Sequence, residues 1–459
     1  MAAEKTTAAS DPAGWTAVET RERVAGGEVT VATVAEAVLA RIAAEDEAIG
    51  AFAFVDAARV RAEARRLDGH RASGRPLGPL HGVPVAIKDV IDTADMPTEN
   101  GTVLDAGRRP DRDATLVARL KAAGALVVGK TAATELAFLH PARTRNPHDP
   151  ERTPGGSSSG SAAAVAAGMV PLAVGTQTAG SVIRPASFCG IVGFKPTHGL
   201  VSRAGVLQLA APLDTVGGFA RTVEDVALLV DAMAGHDPAD PDTRVEAAPQ
   251  LFSIASSRPP VRPDLAFVRG PAWDEAAAET KAAFAELQEV LGEAVATVEL
   301  PDIFHEAATA HRRLVTAGMA RNLRRYGESG WDALSETMQA TLAEGRAVTA
   351  VDYLSALDWR EVLGVGLDRI FERYDAIVTP ATPGEAPHGL GSTGSPAFSV
   401  LWTLCGLPSV SLPLLQGPHG LPVGVQLVGR RGYDGRLLRT ARWLAAHIAA
   451  ATQGGERHG

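Results

Sequence analysis

The chain has 459 residues, 46% of them hydrophobic, enough to enclose a large core. A formal net charge of -9, from 53 acidic against 44 basic residues and with no basic stripe or arm, argues against an autonomous nucleic-acid binder. Two cysteines, Cys189 and Cys405, exclude a disulfide scaffold and fit a reducing cytoplasm, and no CxxC, HExxH or clustered His/Asp set points to a metal.

In chain order, residues 1–15 are polar, lack the apolar run of a signal peptide and are expected to be disordered. Apolar spacing predicts helices over 31–45, with Thr30 as cap, and over 57–67. A strand over 83–88 follows, then a helix over 114–123 leading into a strand over 125–129. A short alanine-rich helix is expected over 160–167. The apolar stretch 162–174 is interrupted by Gly168 and Pro171 and is too short to span a membrane. A helix over 222–234 has Thr222 as cap and Glu224 and Asp225 in its first turn. Residues 236–263 are polar and proline-rich and read as a loop. A strand over 265–268, a helix over 274–291 and a helical zone over 305–373 come next. Strands over 376–379 and near Val410 and Val425, and a helix over 436–450, close the chain before a tail, 451–459, expected to be disordered. Strands interleaved with helices indicate an α/β fold with a mixed central sheet covered on both faces by helices.

The chemistry concentrates in GGSSSGSAAAVAAGMVPLAVGTQTAGSVIRPASFCGIVGFKPTH, residues 155–198. A Gly/Ser linker would not be interrupted by an apolar run of this kind, and no GxxxxGK[ST] phosphate loop is present. Ser157 follows Gly155 and Gly156; Ser181 follows Ala179 and Gly180. Small residues before a serine let several N–H groups converge, as attack on a carbonyl requires. None of the 12 histidines sits in a recognisable triad context, but Lys88, at the end of the apolar strand 83–88, is placed to act as a base if burial holds it neutral.

Three segments together resemble the amidase signature family: HGVPVAIKDVID (81–92), the serine cassette (155–181) and the run from Ile183 to Pro196. GLPSVSLP (406–413) and GLPVGVQLVGR (420–430) resemble family segments too, so the similarity covers roughly residues 30–445. The resemblance implies one amidase signature domain over 16–450 with a helical portion near 270–373. It implies Ser181 as nucleophile, Lys88 as base and then acid, and Ser157, on a cis peptide, passing a proton between them. The backbone N–H groups of Thr178, Ala179, Gly180 and Ser181 would form the oxyanion hole. The chain departs from the commoner family text at Gln177, where an aspartate is usual, and at Ala179, where a glycine is usual; Ala179 can serve if its φ is negative. The arginine at +3, Arg184, resembles the malonamidase-like branch, where it holds a substrate carboxylate; the alternative is a structural ion pair under the loop. Phe398, Trp402 and Thr382 are candidates for an acyl pocket.

The resulting expectation is a cytoplasmic serine amidase that hydrolyses a small-molecule amide to acid and ammonia or amine. It needs no cofactor and no metal, and has no nucleic-acid or membrane partner; a homodimer is left open. Two alternatives stand beside it: the A subunit of a glutamyl-tRNA(Gln)/aspartyl-tRNA(Asn) amidotransferase, and a catalytically silent amidase-like binding protein.

Overall fold

The computed structural model describes residues 11–455. Eleven strands form one mixed sheet: β1 Phe52–Val55, β2 Pro84–Lys88, β3 Leu126–Thr131, β4 Leu172–Gln177, β5 Val192–Lys195, β6 Thr215–Ala220, β7 Leu265–Phe267, β8 Val295–Thr297, β9 Ala376–Pro380, β10 Ser409–Gln416 and β11 Pro422–Val428. Their order across the sheet is β1-β3-β2-β4-β6-β5-β10-β11-β9-β7-β8. β2 pairs in parallel with β3 and β4, and β7 with β8 and β9; the other pairings are antiparallel. Helices cover both faces. On β2, Val85 and Ile87 enter one apolar core while Ala86 enters the other; on β4, Leu172 and Val174 are divided from Ala173 in the same way. That double burial explains why 83–88 reads as an unbroken apolar run rather than an alternating one.

The caps read from sequence are present: Thr30 Oγ1 accepts from Thr33 N–H, and Thr222 Oγ1 from Asp225 N–H. Several expectations need correction. The loop 236–263 contains a helix, Leu251–Ser256, whose first N–H groups are held by the Asp231 carboxylate at 2.7 Å. A cap supplied from 20 residues away leaves no local signal. The zone 305–373 divides into Glu306–Asn322, Arg324–Ser329, Glu336–Ala347 and Ala350–Phe371, the last two capped by Ser335 and Thr349. Residues 11–15, expected disordered, hold a 3-10 turn at Pro12–Gly14 capped by Asp11, and Trp15 is buried. The final helix, Asp434–Gly455, runs into the expected tail. Residues 1–10 and 456–459 lie outside the described residues. Among the described residues no helix is long and apolar enough to cross a membrane.

One packing contact carries the serine cassette. The helix Ser159–Ala166 lies so close to the chain around Ala51 and Ala132 that a Cβ on Gly160 would sit 2.1 Å from Ala51 O and 2.5 Å from Ala132 N. Both are backbone atoms, so no rotamer change relieves the overlap. Gly160→Ala is therefore expected to destabilise the fold by about 3 kcal/mol or more, the upper end of overpacking costs. Urea denaturation measures it; an unchanged midpoint would refute this packing.

Candidate active site

β2 and β4 run in parallel and deliver their C-terminal ends to one edge of the sheet. Lys88 ends β2 and is fully buried. Its Nζ donates to Ser157 Oγ and to Thr176 Oγ1, both at 2.8 Å. Burial drives its pKa well below the ordinary 10.5; Asp214 opposes the shift and Arg184 adds to it. Asp214 is itself buried, with its pKa raised to about 6 by that burial. Its carboxylate accepts from Thr178 Oγ1 at 2.6 Å and from the N–H groups of Leu209 and Ala210 at 2.8 and 2.9 Å.

The cassette GGSSSGS sets Ser157 in place through its neighbours. Ser158 Oγ bonds Thr176 O and N–H across to β4, Ser159 Oγ donates to Gly155 O, and Ser161 Oγ donates to Val174 O. Ser158 and Ser161 stitch the short helix to β4 and Ser159 ties it to the glycine turn before it, so their density in the sequence is architectural. The Gly156–Ser157 peptide is cis, as the resemblance implied. Ser157 is bonded to Lys88 but no hydrogen bond joins it to Ser181, so the second half of the expected relay is not closed in this structure.

Ser181 lies in the turn between β4 and the helix Ile183–Phe188 and opens into a cavity of about 230 Å³. Among the described residues, the N–H groups of Thr178, Ala179, Gly180 and Ser181 reach no protein acceptor. Their orientation is set by the carbonyls, because each peptide is planar and its N–H points opposite its C=O. His311 Nε2 holds Thr178 O at 2.8 Å, which aims Ala179 N–H. Thr403 Oγ1 holds Ala179 O at 2.7 Å, which aims Gly180 N–H. Arg184 N–H holds Gly180 O at 2.8 Å, which aims Ser181 N–H. Ala179 does not have a positive φ, so the alanine fits the turn without strain. Gln177 bonds with both ends of its amide. Its Oε1 accepts from the N–H groups of Val182 and Ile183, capping the helix, while Nε2 donates to Thr403. An aspartate could accept those N–H bonds but could not donate to Thr403.

Sequence reasoning missed His311, Thr403, Thr176 and Asp214. His311 and Thr403 lie 133 and 224 residues from the carbonyls they hold; His311 falls in the helical zone 305–373, and Thr403 in the stretch 380–403, which reads from sequence as a loop but ends in the helix Ala397–Leu404. Burial lowers the His311 pKa, so the ring is neutral at physiological pH and keeps Nε2–H as its donor to Thr178. His311→Phe should keep the fold and lower kcat by about tenfold, with KM nearly unchanged, because one buried hydrogen bond orienting a transition-state donor is lost. An unchanged kcat would remove His311 from this role.

Arg184 is buried within the site wall. Its Nε and Nη2 donate to Gly156 O and its Nη1 to Gly394 O. Burial lowers its pKa to about 9. No carboxylate pairs with it among the described residues, so the ion-pair alternative is replaced by carbonyl anchoring; the carboxylate-holding role has only its remaining N–H groups to draw on. Phe398, Trp402 and Thr382 do not line the cavity. They are buried in packing, and Thr382 bonds Ser187. The wall is made instead by Phe138, Leu139, Leu209, Val315, Pro396 and Val400, with Arg184, His311 and Arg312 as its ionisable members.

The family model described as Amidase matches residues 33–438. The chain belongs to the amidase family. Its curated relatives include the A subunit of the glutamyl-tRNA(Gln) amidotransferase of Symbiobacterium thermophilum, 40% identical over 90% of this chain and 93% of that one. The corresponding protein of Thermus thermophilus is 38% identical over 92% and 95%. Among solved structures, a protein described as part of a vestigial complex that reveals the origins of an s-triazine catabolic enzyme superposes with TM-score 0.87 at 31% identity, covering 95% of this chain and 98% of that one. The peptide amidase of Stenotrophomonas maltophilia does so with TM-score 0.83 at 30% identity, covering 95% and 97%. The amidase fold expected from sequence is thus present. The expectation of a small-molecule amide as sole partner, with no nucleic acid, is overturned: the curated relatives are subunits of an enzyme named for a tRNA. The low net basicity on which that expectation rested describes the chain alone and says nothing of an assembly.

Proposed function

We propose that this amidase-family chain cleaves a carboxamide through an acyl-enzyme on Ser181. The observation that carries the reading is Lys88, wholly buried, depressed in pKa and 2.8 Å from Ser157. Neutral Lys88 takes the Ser157 hydroxyl proton as Ser157 takes that of Ser181. Ser181 Oγ bonds the carbonyl carbon, and the oxyanion meets the N–H groups of the 178–181 turn. Return of the proton through Ser157 to the leaving nitrogen breaks the C–N bond and releases ammonia or an amine. A second nucleophile, water in hydrolysis, then frees the acid.

For the use made of the ammonia, we infer an A-type amidotransferase chain, supported by whole-length similarity to the A subunits of glutamyl-tRNA(Gln) amidotransferases. That reading places the chain beside partner subunits and a charged tRNA in the cytoplasm, where two buried, unpaired cysteines stay reduced. One observation favours a second reading, a free-standing amidase. The cavity at Ser181 is lined mainly by apolar side chains and includes no carboxylate to meet the ammonium of glutamine. Ammonia release by the isolated chain from glutamine and from an apolar primary amide of similar length separates the two. Preference for glutamine, or activity only with partner subunits and tRNA, supports the amidotransferase reading; preference for the apolar amide supports the second. Failure to cleave any amide, in any assembly, would sink both.

A further inference from the structure

A second cavity, of about 730 Å³, opens on the edge of the sheet that carries Ser181, at the ends of β5 and β11. β11 lies four places from β4 in the sheet, and the two cavities share no lining residue. Five arginines line this one: Arg244, Arg430, Arg431, Arg436 and Arg439. Arg430 pairs with Asp368 at 3.4 Å, Arg436 with Asp375, and Arg244 loosely with Glu246 at 3.9 Å. Among the described residues Arg431 and Arg439 have no ion pair, and Arg431 Nε is a buried donor without an acceptor. Arg431 is further crowded by Arg360. Both guanidinium groups come within 4.0 Å of the point where a Cβ on Gly406 would stand, and among the described residues Arg360 bonds only the carbonyl of Leu404. Fully buried Lys195 sits behind them, bonded to the carbonyls of Pro196 and Leu407. Three acids stand in this wall: Glu246 and Asp368 face Arg244 and Arg430, and Asp434 is committed to Thr197 N–H and Oγ1.

Like charges drawn together away from water, with a donor left orphaned, are costly unless an anion joins them. Arg244, Arg430 and Arg436 keep 43–66% of their side chains exposed, as on a solvated charged face; Arg431 departs from that pattern, its Nε buried with no acceptor. We propose that this cavity binds a phosphate group, with the forks of Arg431 and Arg439 as its direct donors and Arg360 supplying charge from behind. A guanidinium presents two parallel N–H groups at the spacing of phosphate oxygens, which a point-charge ammonium does not. The cavity holds more than one phosphate, so the group belongs either to a small phosphorylated molecule or to the backbone of an RNA; the contact chemistry is the same for both.

Calorimetric titration of the full chain at low salt tests this with three probes: pyrophosphate, a nucleoside triphosphate and a short single-stranded RNA. At least one is expected to bind with a sub-millimolar Kd, weakened about tenfold in Arg431→Gln and in Arg439→Gln, the loss of one charge-assisted contact each. Arg65→Gln, an exposed arginine on the helix Ala57–Ala72, is the charge-matched control and should bind as the wild type does. RNA affinity that rises with oligomer length assigns the phosphate to a polymer; equal or better binding of the triphosphate assigns it to a small molecule. In the absence of probe, Arg431→Gln should be at least as thermally stable as wild type, since it removes an unpaired charge. The proposal is overturned if no probe binds at millimolar concentration, if both arginine variants bind undiminished, or if Arg65→Gln weakens binding equally. Should Arg431→Gln not fold, Arg439→Gln alone decides.

Discussion

Lys88→Met is expected to lower kcat by about 10²- to 10⁴-fold, the range lost when a positioned general base is removed. Lys88→Arg should be as inactive, because a guanidinium cannot shed its proton at any working pH. In the wild type, activity should rise with pH through an apparent pKa well below 10.5, since burial favours the neutral amine and only that form can take a proton from Ser157. The same group gives a stability signature. Between the depressed pKa of the folded state and 10.5, the unfolded chain binds a proton that the folded chain does not, so stability rises with pH across that window. Lys88→Met should lose this slope. Paired pH–rate and pH–denaturation profiles of wild type and variant check both statements. A variant retaining most of the wild-type rate, or a wild-type profile that rises only near pH 10.5, would remove Lys88 as base.

Ser181→Ala is expected to abolish turnover, by about 10⁶-fold, the scale seen when a serine nucleophile is removed. The fold should survive, because the Ser181 hydroxyl opens to the cavity and bonds no group among the described residues, unlike those of Ser158, Ser159 and Ser161. Far-UV circular dichroism and the urea midpoint check the fold; ammonia release checks the rate. Ser157→Ala should be nearly as inactive but should still admit slow covalent labelling at Ser181. Residual turnover in Ser181→Ala above about 1% would place the nucleophile elsewhere.

Much of this site was legible because its chemistry is local. Lys88 stands at the end of an apolar strand, and Ser157 and Ser181 stand after small residues, so residue type and neighbours together mark them. The strands β5 and β6 escaped detection because Val192–Lys195 and Thr215–Ala220 are short and glycine-bearing, with no alternation to betray a strand buried on both faces. β4 was masked by its alanine- and glycine-rich surroundings, which favour a helix as readily as a strand. The supports of the oxyanion turn were invisible for another reason. His311 and Thr403 act across more than a hundred residues, and nothing adjacent to them in sequence reports the carbonyls they hold. Arg184 shows the limit of motif reasoning. Its position predicted proximity to the nucleophile, which the structure has, but its partners, Gly156 O and Gly394 O, are backbone atoms that no motif encodes.

The central claim is that Ser181 carries the acyl group. Incubation of the full chain with a fluorophosphonate, or with an amide whose acyl-enzyme is slow to turn over, followed by peptide mass spectrometry, tests it most directly. The expected adduct lies on the peptide containing Ser181, is absent in Ser181→Ala and forms far more slowly in Lys88→Met. An adduct mapped instead to Ser157 or Ser187, or labelling that persists in Ser181→Ala, would contradict the account.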